Sequence, residues 1–202
     1  MTRRLFSAAA AVALAAGCAA GDLAVVPEAP GAQQEFFERL RPLCGRAFDG
    51  RVTSAPVEAD REMAASRLTM HVASCTDDEV RIPFHVGENR SRTWVISRTA
   101  AGLRLKHIHR HEDGSLDELS NYGGDAVPPG TGRRQEFPAD AFSRALFERT
   151  GRAVSVPNVW AVEIDPRRLF AYELRRPGRH FRVEFDLSRP VPPPPPPPWG
   201  GN

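Results

Sequence analysis

Apolar and polar side chains alternate with a period of two along much of this chain, and this pattern constrains the fold most strongly. Leu68, Met70 and Val72 alternate with polar or small neighbours, and residues 80–86 and 181–187 follow the same pattern. Successive side chains of a strand point to opposite faces. One apolar and one charged face are typical of antiparallel strands that are covered on one side only.

Short connections rich in Gly, Pro, Asn and Asp separate these alternating stretches. They lie at residues 76–78, 87–89, 100–102, 165–167 and 176–178, and turn geometry favours these residue types. Strands joined so briefly are antiparallel neighbours, so the sequence predicts a mainly β meander of about eight or nine strands. A barrel would remove the exposed edges of such a sheet. A two-sheet β-sandwich is the alternative architecture.

Two segments have helical spacing instead. Gln33–Leu43 is predicted to be a short helix, and Pro42 should make its last turn irregular. Pro138–Thr150 is predicted to be a second helix, with an apolar stripe formed by Phe142, Ala145 and Leu146. Residues 112–132 are polar and are predicted to form a long loop of the kind that is usually functional or mobile.

The first twenty residues have the composition of an export signal. Arg3 and Arg4 form a basic start, Leu5–Ala16 form an Ala-rich apolar run, and small residues follow. The apolar run is too short to anchor the chain across a hydrocarbon core of ~30 Å. No later stretch approaches the length of a membrane span, so the sequence predicts no transmembrane helix.

The end of this signal, Leu14-Ala15-Ala16-Gly17-Cys18, resembles the lipobox of bacterial lipoproteins, with its large aliphatic residue one place early. The resemblance implies that Cys18 is lipidated and attaches the protein to a membrane, and Ala19 after it favours the outer membrane. Cleavage after Ala20 by the ordinary signal peptidase is the alternative, and it would give a periplasmic or secreted protein.

The remaining chain is predicted to form one domain with flexible ends. Residues 21–32 form a tether and residues 33–190 form the β-domain. Residues 191–202 contain seven consecutive prolines, Pro192 to Pro198. Such a run adopts extended polyproline II, so we expect a disordered tail that stays outside the core.

The charge balance argues against a nucleic-acid partner. The chain has 27 Lys and Arg residues against 25 Asp and Glu residues. Removal of Arg3 and Arg4 with the signal leaves 25 of each sign, and the mature chain is neutral overall. Nucleic-acid binders need a basic surface that displaces counterions.

The predicted compartment determines the expected state of the three cysteines. Cys18 belongs to the signal or the lipid anchor, which leaves Cys44 and Cys75 as a pair. In an oxidising envelope such a pair should form a disulfide. Two unpaired buried thiols are the alternative.

In its architecture, a meander with a short helix before the first strand, the segment 33–189 resembles the lipocalin-like barrels. The Gly-x-Trp motif of lipocalins is not present, because Gly45 is followed by Arg46 and Ala47. The resemblance implies a closed or nearly closed antiparallel barrel.

The densest cluster of functional side chains is His107, His109 and His111. These three share the parity of Leu103 and Leu105, whereas Arg104, Lys106 and Arg110 share the other parity. Cationic side chains should face water, so the imidazoles are predicted to face inward at one mouth of the barrel. His71, His85 and His180 share parity with polar positions and are predicted to face outward.

This cluster suggests either a ligand site or a metal site. Neighbouring same-face residues lie ~6.7 Å apart, so two imidazoles could share a Zn²⁺ or Cu²⁺ ion, while His107 and His111 are too far apart. The third ligand would then come from Glu112, Asp113 or Asp117. The alternatives are a polar, water-filled mouth with hydrogen-bonded histidines, and contacts to a small acidic or polar ligand. Four aromatic residues are also predicted to face inward, as core or as ligand platform: Trp94, Trp160, Phe170 and Tyr172.

Motifs of common enzymes do not occur in the sequence: there is no Gly-x-Ser-x-Gly, His-Glu-x-x-His, phosphate loop or Gly-x-Gly-x-x-Gly. We therefore expect a non-enzymatic binding module of the cell envelope that holds a small ligand or metal at the His107–His111 mouth, with Tyr172 in the cavity wall. A structural or interaction lipoprotein with a solid core is the second hypothesis. A metal-dependent hydrolase that uses the same histidines is the third.

Overall fold

The protein is described by a computed structural model that covers residues 31–55, 57–128, 130–191 and 195–201. The predicted fold class is confirmed: the chain forms a nearly closed antiparallel barrel with three short helices, consistent with a lipocalin-like barrel. The helices are α1 (Ala32–Leu40), α2 (Arg61–Ala65) and α3 (Ala141–Arg149). The predicted signal, with Cys18, and almost all of the tether lie outside the described residues.

The described residues form eleven strands, more than the eight or nine expected, because several are very short. They are β1 (Ala47–Val52), β2 (Leu68–His71), β3 (Ser74–Cys75), β4 (Glu79–Val86), β5 (Asn89–Thr99), β6 (Gly102–His109), β7 (Tyr122–Asp125), β8 (Arg134–Pro138), β9 (Val159–Asp165), β10 (Leu169–Arg176) and β11 (Arg179–Pro190). They follow one another around the barrel in chain order, and β11 pairs with β1. The two-residue strand β3 lies beside β4 only.

The barrel closes between β7 and β8, where the ladder is replaced by two flanking backbone hydrogen bonds. Val127 N donates to Glu136 O over 3.1 Å, and Asp140 N donates to Gly123 O over 2.9 Å. A β-carbon at Gly124 would overlap the carbonyl oxygen of Pro138. The glycine therefore allows the two backbones to approach closely enough to close the sheet.

Helix α1 closes one end of the barrel. Phe36, Phe37 and Leu40 are fully buried in the core, and Gln33 accepts a hydrogen bond from the backbone N–H of Leu103 at the start of β6 (2.7 Å). As predicted, the helix becomes irregular at Pro42, where a 3-10 turn follows. The opposite end, where β6 and β10 finish, stays open.

Helix α3 packs beside the seam and begins later than predicted. Pro138 belongs to β8, and Asp140 caps the helix by accepting a hydrogen bond from Ser143 N (2.8 Å). The predicted stripe is wrong in part, because Phe142 is half exposed and Ala145 is exposed. The buried face consists of Ser143, Leu146 and Phe147. The Ser143 hydroxyl accepts a hydrogen bond from Gly123 N and so ties the helix to β7.

The predicted loop 112–132 contains a strand. Residues Tyr122–Asp125 form β7 and pair with β6, so the segment is two shorter loops. Sequence alternation could not reveal this strand, because its two central residues are glycines and carry no side chain to alternate.

Residues 195–201 of the proline-rich tail contact the domain, although the tail was expected to stay outside the core. Trp199 N donates to Arg90 O over 3.1 Å, and the Arg90 guanidinium donates to Pro197 O over 3.1 Å. Pro198 is buried. The end of the chain thus binds back on the β4–β5 hairpin. Among the described residues, no helix has both the length and the apolar composition needed to cross a membrane.

Cys44 and Cys75 form the predicted disulfide, with their Cα atoms 6.2 Å apart. The bridge joins the end of the turn after α1 to β3, and so fastens the helical cap to the wall of the barrel. The loop that it closes spans 31 residues.

We expect the double variant Cys44→Ser, Cys75→Ser to lose about 3–4 kcal/mol of stability, because its unfolded chain is no longer constrained. For a domain of this size the melting temperature should fall by roughly 6–16 °C in calorimetry. An unchanged melting temperature, or two reactive thiols at these positions in the denatured wild-type protein, would contradict the bridge.

Candidate functional site

A cavity of about 430 Å³ opens at the end of the barrel opposite α1. This volume is within the range of small-molecule sites, about 300–1,000 Å³. Strands β4 to β7 and β9 to β11 contribute to its wall, together with Met63 of α2, Arg152 and Ser155 after α3, and Asp117 and Leu119 of the loop before β7.

Five strands build this wall in two layers. Each strand carries one inward residue of the deeper layer, and a polar residue lies two positions away toward the mouth; for β9 this polar residue, Asn158, directly precedes the strand. We call the deeper layer the lower ring; it contains Trp94, His107, Trp160, Leu174 and Phe181. The layer nearer the mouth is the upper ring; it contains Arg92, His109, Asn158, Arg176 and Arg179.

The floor of the cavity is aromatic and tightly packed. Trp94 stacks on Tyr172 with ring centroids 4.3 Å apart and on Phe84 at 4.7 Å. Trp94, Trp160, Phe170 and Tyr172 are all buried, as predicted for inward positions. Below this floor the barrel is filled by side chains, so the cavity occupies only the open half.

His107 is held in one orientation by two hydrogen bonds. Its Nδ1 lies 3.1 Å from the backbone oxygen of Tyr122, and its Nε2 lies 2.7 Å from the hydroxyl of Tyr172. A carbonyl oxygen only accepts, so Nδ1 carries the proton and Nε2 accepts from Tyr172. Burial lowers the pKa of His107 to about 3, and its imidazole is neutral at neutral pH.

His109 lies one layer above, beside Arg92, its register partner on β5. Its Nε2 shares a hydrogen bond of 3.0 Å with the hydroxyl of Tyr122. Burial is the main cause that lowers the pKa of His109 to about 4, and the positive charge of Arg92 lowers it further. Burial also raises the pKa of Tyr122 to about 12. The imidazoles and phenols are therefore a neutral, hydrogen-bonded cluster.

His111 does not belong to this cluster. Strand β6 ends at His109, and an isolated bridge between Arg110 and Leu116 turns the chain away. The His111 side chain is 58% exposed, and its Nε2 lies 3.7 Å from Asp117. It does not line the cavity.

The metal prediction finds no support in this geometry. In the part of the chain that the structure describes, no three His, Cys, Asp or Glu side chains are grouped as a metal site would require. Of the predicted acidic ligands, only Asp117 lines the cavity. The ring nitrogens of His107 are already used by protein partners.

The remaining histidines lie outside the cavity. His180 is exposed near Glu173, as predicted for an outward position. His85 is on an outward-facing position of β4 but is nearly fully buried; burial, and then the charges of Arg90 and His71, lower its pKa to about 4.

The sequence analysis did not identify the arginines of the upper ring, because it expected cationic side chains to face water outside the barrel. Their inward direction could have been predicted from the strand pattern. Arg92 has the parity of the inward Trp94, and Arg176 has the parity of the inward Tyr172. Charged residues were expected outside, and the open end of a barrel is where this rule fails, because inward side chains there meet water.

The chain matches no protein-family model, and no curated protein or solved structure resembles it closely enough to count as a match.

The buried imidazole of His107 makes stability depend on pH. The unfolded chain protonates this residue near pH 6.5, whereas the folded protein keeps it neutral down to about pH 3. Between these values the unfolded state binds more protons, so the free energy of unfolding decreases as the pH falls.

We expect wild-type protein to lose about 2–3 kcal/mol more than His107→Gln between about pH 7 and about pH 4.5, since glutamine does not titrate. Urea unfolding at both pH values measures this difference. His180→Gln is the matched control, because it removes an exposed imidazole that does not line the cavity. Equal losses in wild type and His107→Gln would show that His107 is not the buried neutral group.

Proposed function

We propose that this protein is an exported, non-enzymatic binding module that holds a small organic molecule in the cavity at the open end of its barrel. The observation that carries the proposal is the layered wall: a lower ring that is mainly apolar and aromatic lies beneath an upper ring of polar side chains. Ligand sites combine apolar walls with a few convergent polar groups in this way.

Stacking and hydrogen bonds hold the side chains of the cavity floor in place. The stack of Phe84, Trp94 and Tyr172 and the hydrogen bonds of His107 fix the floor. Such preorganisation reduces the entropy that binding would otherwise cost. A solid interaction protein would not need an open half of this size, so the cavity favours binding over the purely structural alternative.

The proposal also includes the cellular location of the protein, outside the cytosol. The basic, apolar and small segments of residues 1–20 support export, and the disulfide Cys44–Cys75 suits an oxidising compartment. Lipidation of Cys18 would attach the barrel to the outer membrane; cleavage after Ala20 would leave it periplasmic or secreted. In both cases the domain meets small molecules outside the cytosol.

The neutral fluorophore N-phenyl-1-naphthylamine tests the cavity, because its emission increases when it enters an apolar site. We expect a saturable increase with wild-type protein. Leu174→Trp places extra volume in the lower ring and should weaken binding at least about tenfold, the effect of about 1.4 kcal/mol.

Leu116→Trp is the matched control, because Leu116 is half exposed and does not line the cavity. It should bind the fluorophore like wild type, and both variants should show a cooperative thermal transition. No saturable binding to wild-type protein, or equal weakening in both variants, would refute the proposed site.

A further inference from the structure

We infer that the cavity takes an amphiphilic anion, with a carboxylate, sulfonate or phosphate group at Arg92 and an apolar body on the lower ring. This inference rests on the proposed function and specifies the chemical class of its ligand. Its basis is the charge of the upper ring, which contains three arginines and no acidic side chain.

The cavity wall carries four guanidinium groups and one carboxylate. The cations are Arg92, Arg152, Arg176 and Arg179, and the carboxylate is Asp117. Arg179 is paired with the buried Asp60. With the neighbouring imidazoles neutral, four arginines against Asp117 and Asp60 leave a net charge of +2 at the mouth.

Among the described residues, neither Asp117 nor any other carboxylate lies within salt-bridge distance of the other three arginines, Arg92, Arg152 and Arg176; Asp117 lies near His111 instead. Arg176 donates to two neutral acceptors, Ser155 Oγ at 3.0 Å and Asn158 Oδ1 at 3.4 Å, which leave its charge unbalanced. Arg152 is exposed at the rim. The uncompensated charge is thus spread around the opening.

Of the three arginines without a carboxylate partner in the described chain, Arg92 is the one with a buried nitrogen that lacks a hydrogen-bond partner there. Its Nη1 atom is buried and has no hydrogen-bond partner among the described residues. A buried donor without an acceptor costs free energy, and a charged donor costs more. An anionic oxygen from a ligand would satisfy both the donor and the charge through a short, charge-assisted hydrogen bond.

The position of Arg92 sets the orientation of the ligand. It precedes Trp94 by two residues on the same face of β5, so it lies directly above the aromatic floor. A head group at Arg92 would therefore leave the remainder of the molecule on Trp94, Trp160 and Leu174. A purely apolar ligand would leave Arg92 unsatisfied, and a purely ionic ligand would leave the floor uncovered.

Two fluorophores distinguish the contribution of the anionic head group to binding from that of the apolar body. 8-Anilinonaphthalene-1-sulfonate has the rings of N-phenyl-1-naphthylamine with one added sulfonate. We expect the wild-type protein to bind the sulfonate at least about tenfold more tightly than the neutral compound, and we expect added salt to reduce this preference.

Arg92→Gln should weaken binding of the sulfonate about tenfold and change binding of the neutral compound less than about twofold. Arg51→Gln removes the same charge from an exposed position outside the cavity and should change neither affinity. If wild type binds both probes equally, or if Arg92→Gln weakens both alike, the anion inference is wrong while the cavity remains a binding site. If neither probe binds, the proposed function fails and the inference fails with it.

Sodium dodecanoate and sodium dodecyl phosphate, as competitors of the bound sulfonate, distinguish the two natural sources of the anion. Displacement by either supports the inference, and the tighter competitor names the preferred head group. Displacement by uncharged dodecanol with equal strength would overturn it.

Discussion

Closure of the sheet between β7 and β8 is the constraint on which the rest of this structure depends. The histidine-bearing wall of the cavity lies on β5 to β7, and the arginine-rich wall lies on β9 to β11. The two walls contact each other across the barrel interior, where Trp94 stacks on Tyr172, and they become neighbours at this seam, where the Tyr122 and Trp160 rings lie 5.5 Å apart. Gly124 allows the two backbones to approach, and Ser143 of α3 joins the seam through hydrogen bonds to Gly123. An open sheet would leave unpaired backbone groups and no enclosed wall.

The two ends of the barrel then acquire different roles. Helix α1 and the disulfide Cys44–Cys75 close one end, and a continuous apolar core fills the half next to it. At the other end the lower ring ends the core with aromatic side chains, and the upper ring turns polar groups toward water. Function is expected at the open end because only there do inward side chains lack packing partners.

Burial also decides which groups carry charge in the cavity. His107 and His109 lie in a low-dielectric environment that favours the neutral imidazole, and their hydrogen bonds go to Tyr172 and Tyr122. Arginine keeps its charge under the same conditions, because its pKa is far above neutral. The histidine cluster therefore orients the floor, while Arg92 and its neighbours supply the electrostatic field of the mouth.

The sequence was sufficient for the fold class, the disulfide and the inward direction of His107 and His109, because all three follow from period-two alternation or cysteine pairing. It was not sufficient for His111, since the strand ends two residues earlier and parity has no meaning beyond its end. Strand β7 was not recognised within the predicted loop 112–132, because its central Gly123 and Gly124 have no side chains to alternate. The buried part of the tail escaped notice because polyproline composition gives no indication of docking through Trp199 and Arg90.

Residue-resolved amide hydrogen exchange at the seam tests the central claim most directly. If the barrel is closed, the N–H groups of Val127 and Asp140, which bond across the seam, should exchange at least about a thousandfold more slowly than in an unstructured chain. This protection corresponds to a local opening free energy of about 4 kcal/mol. Exchange of both amides at the rate of an exposed loop, while β5 and β6 remain protected, would show an open sheet and contradict the account.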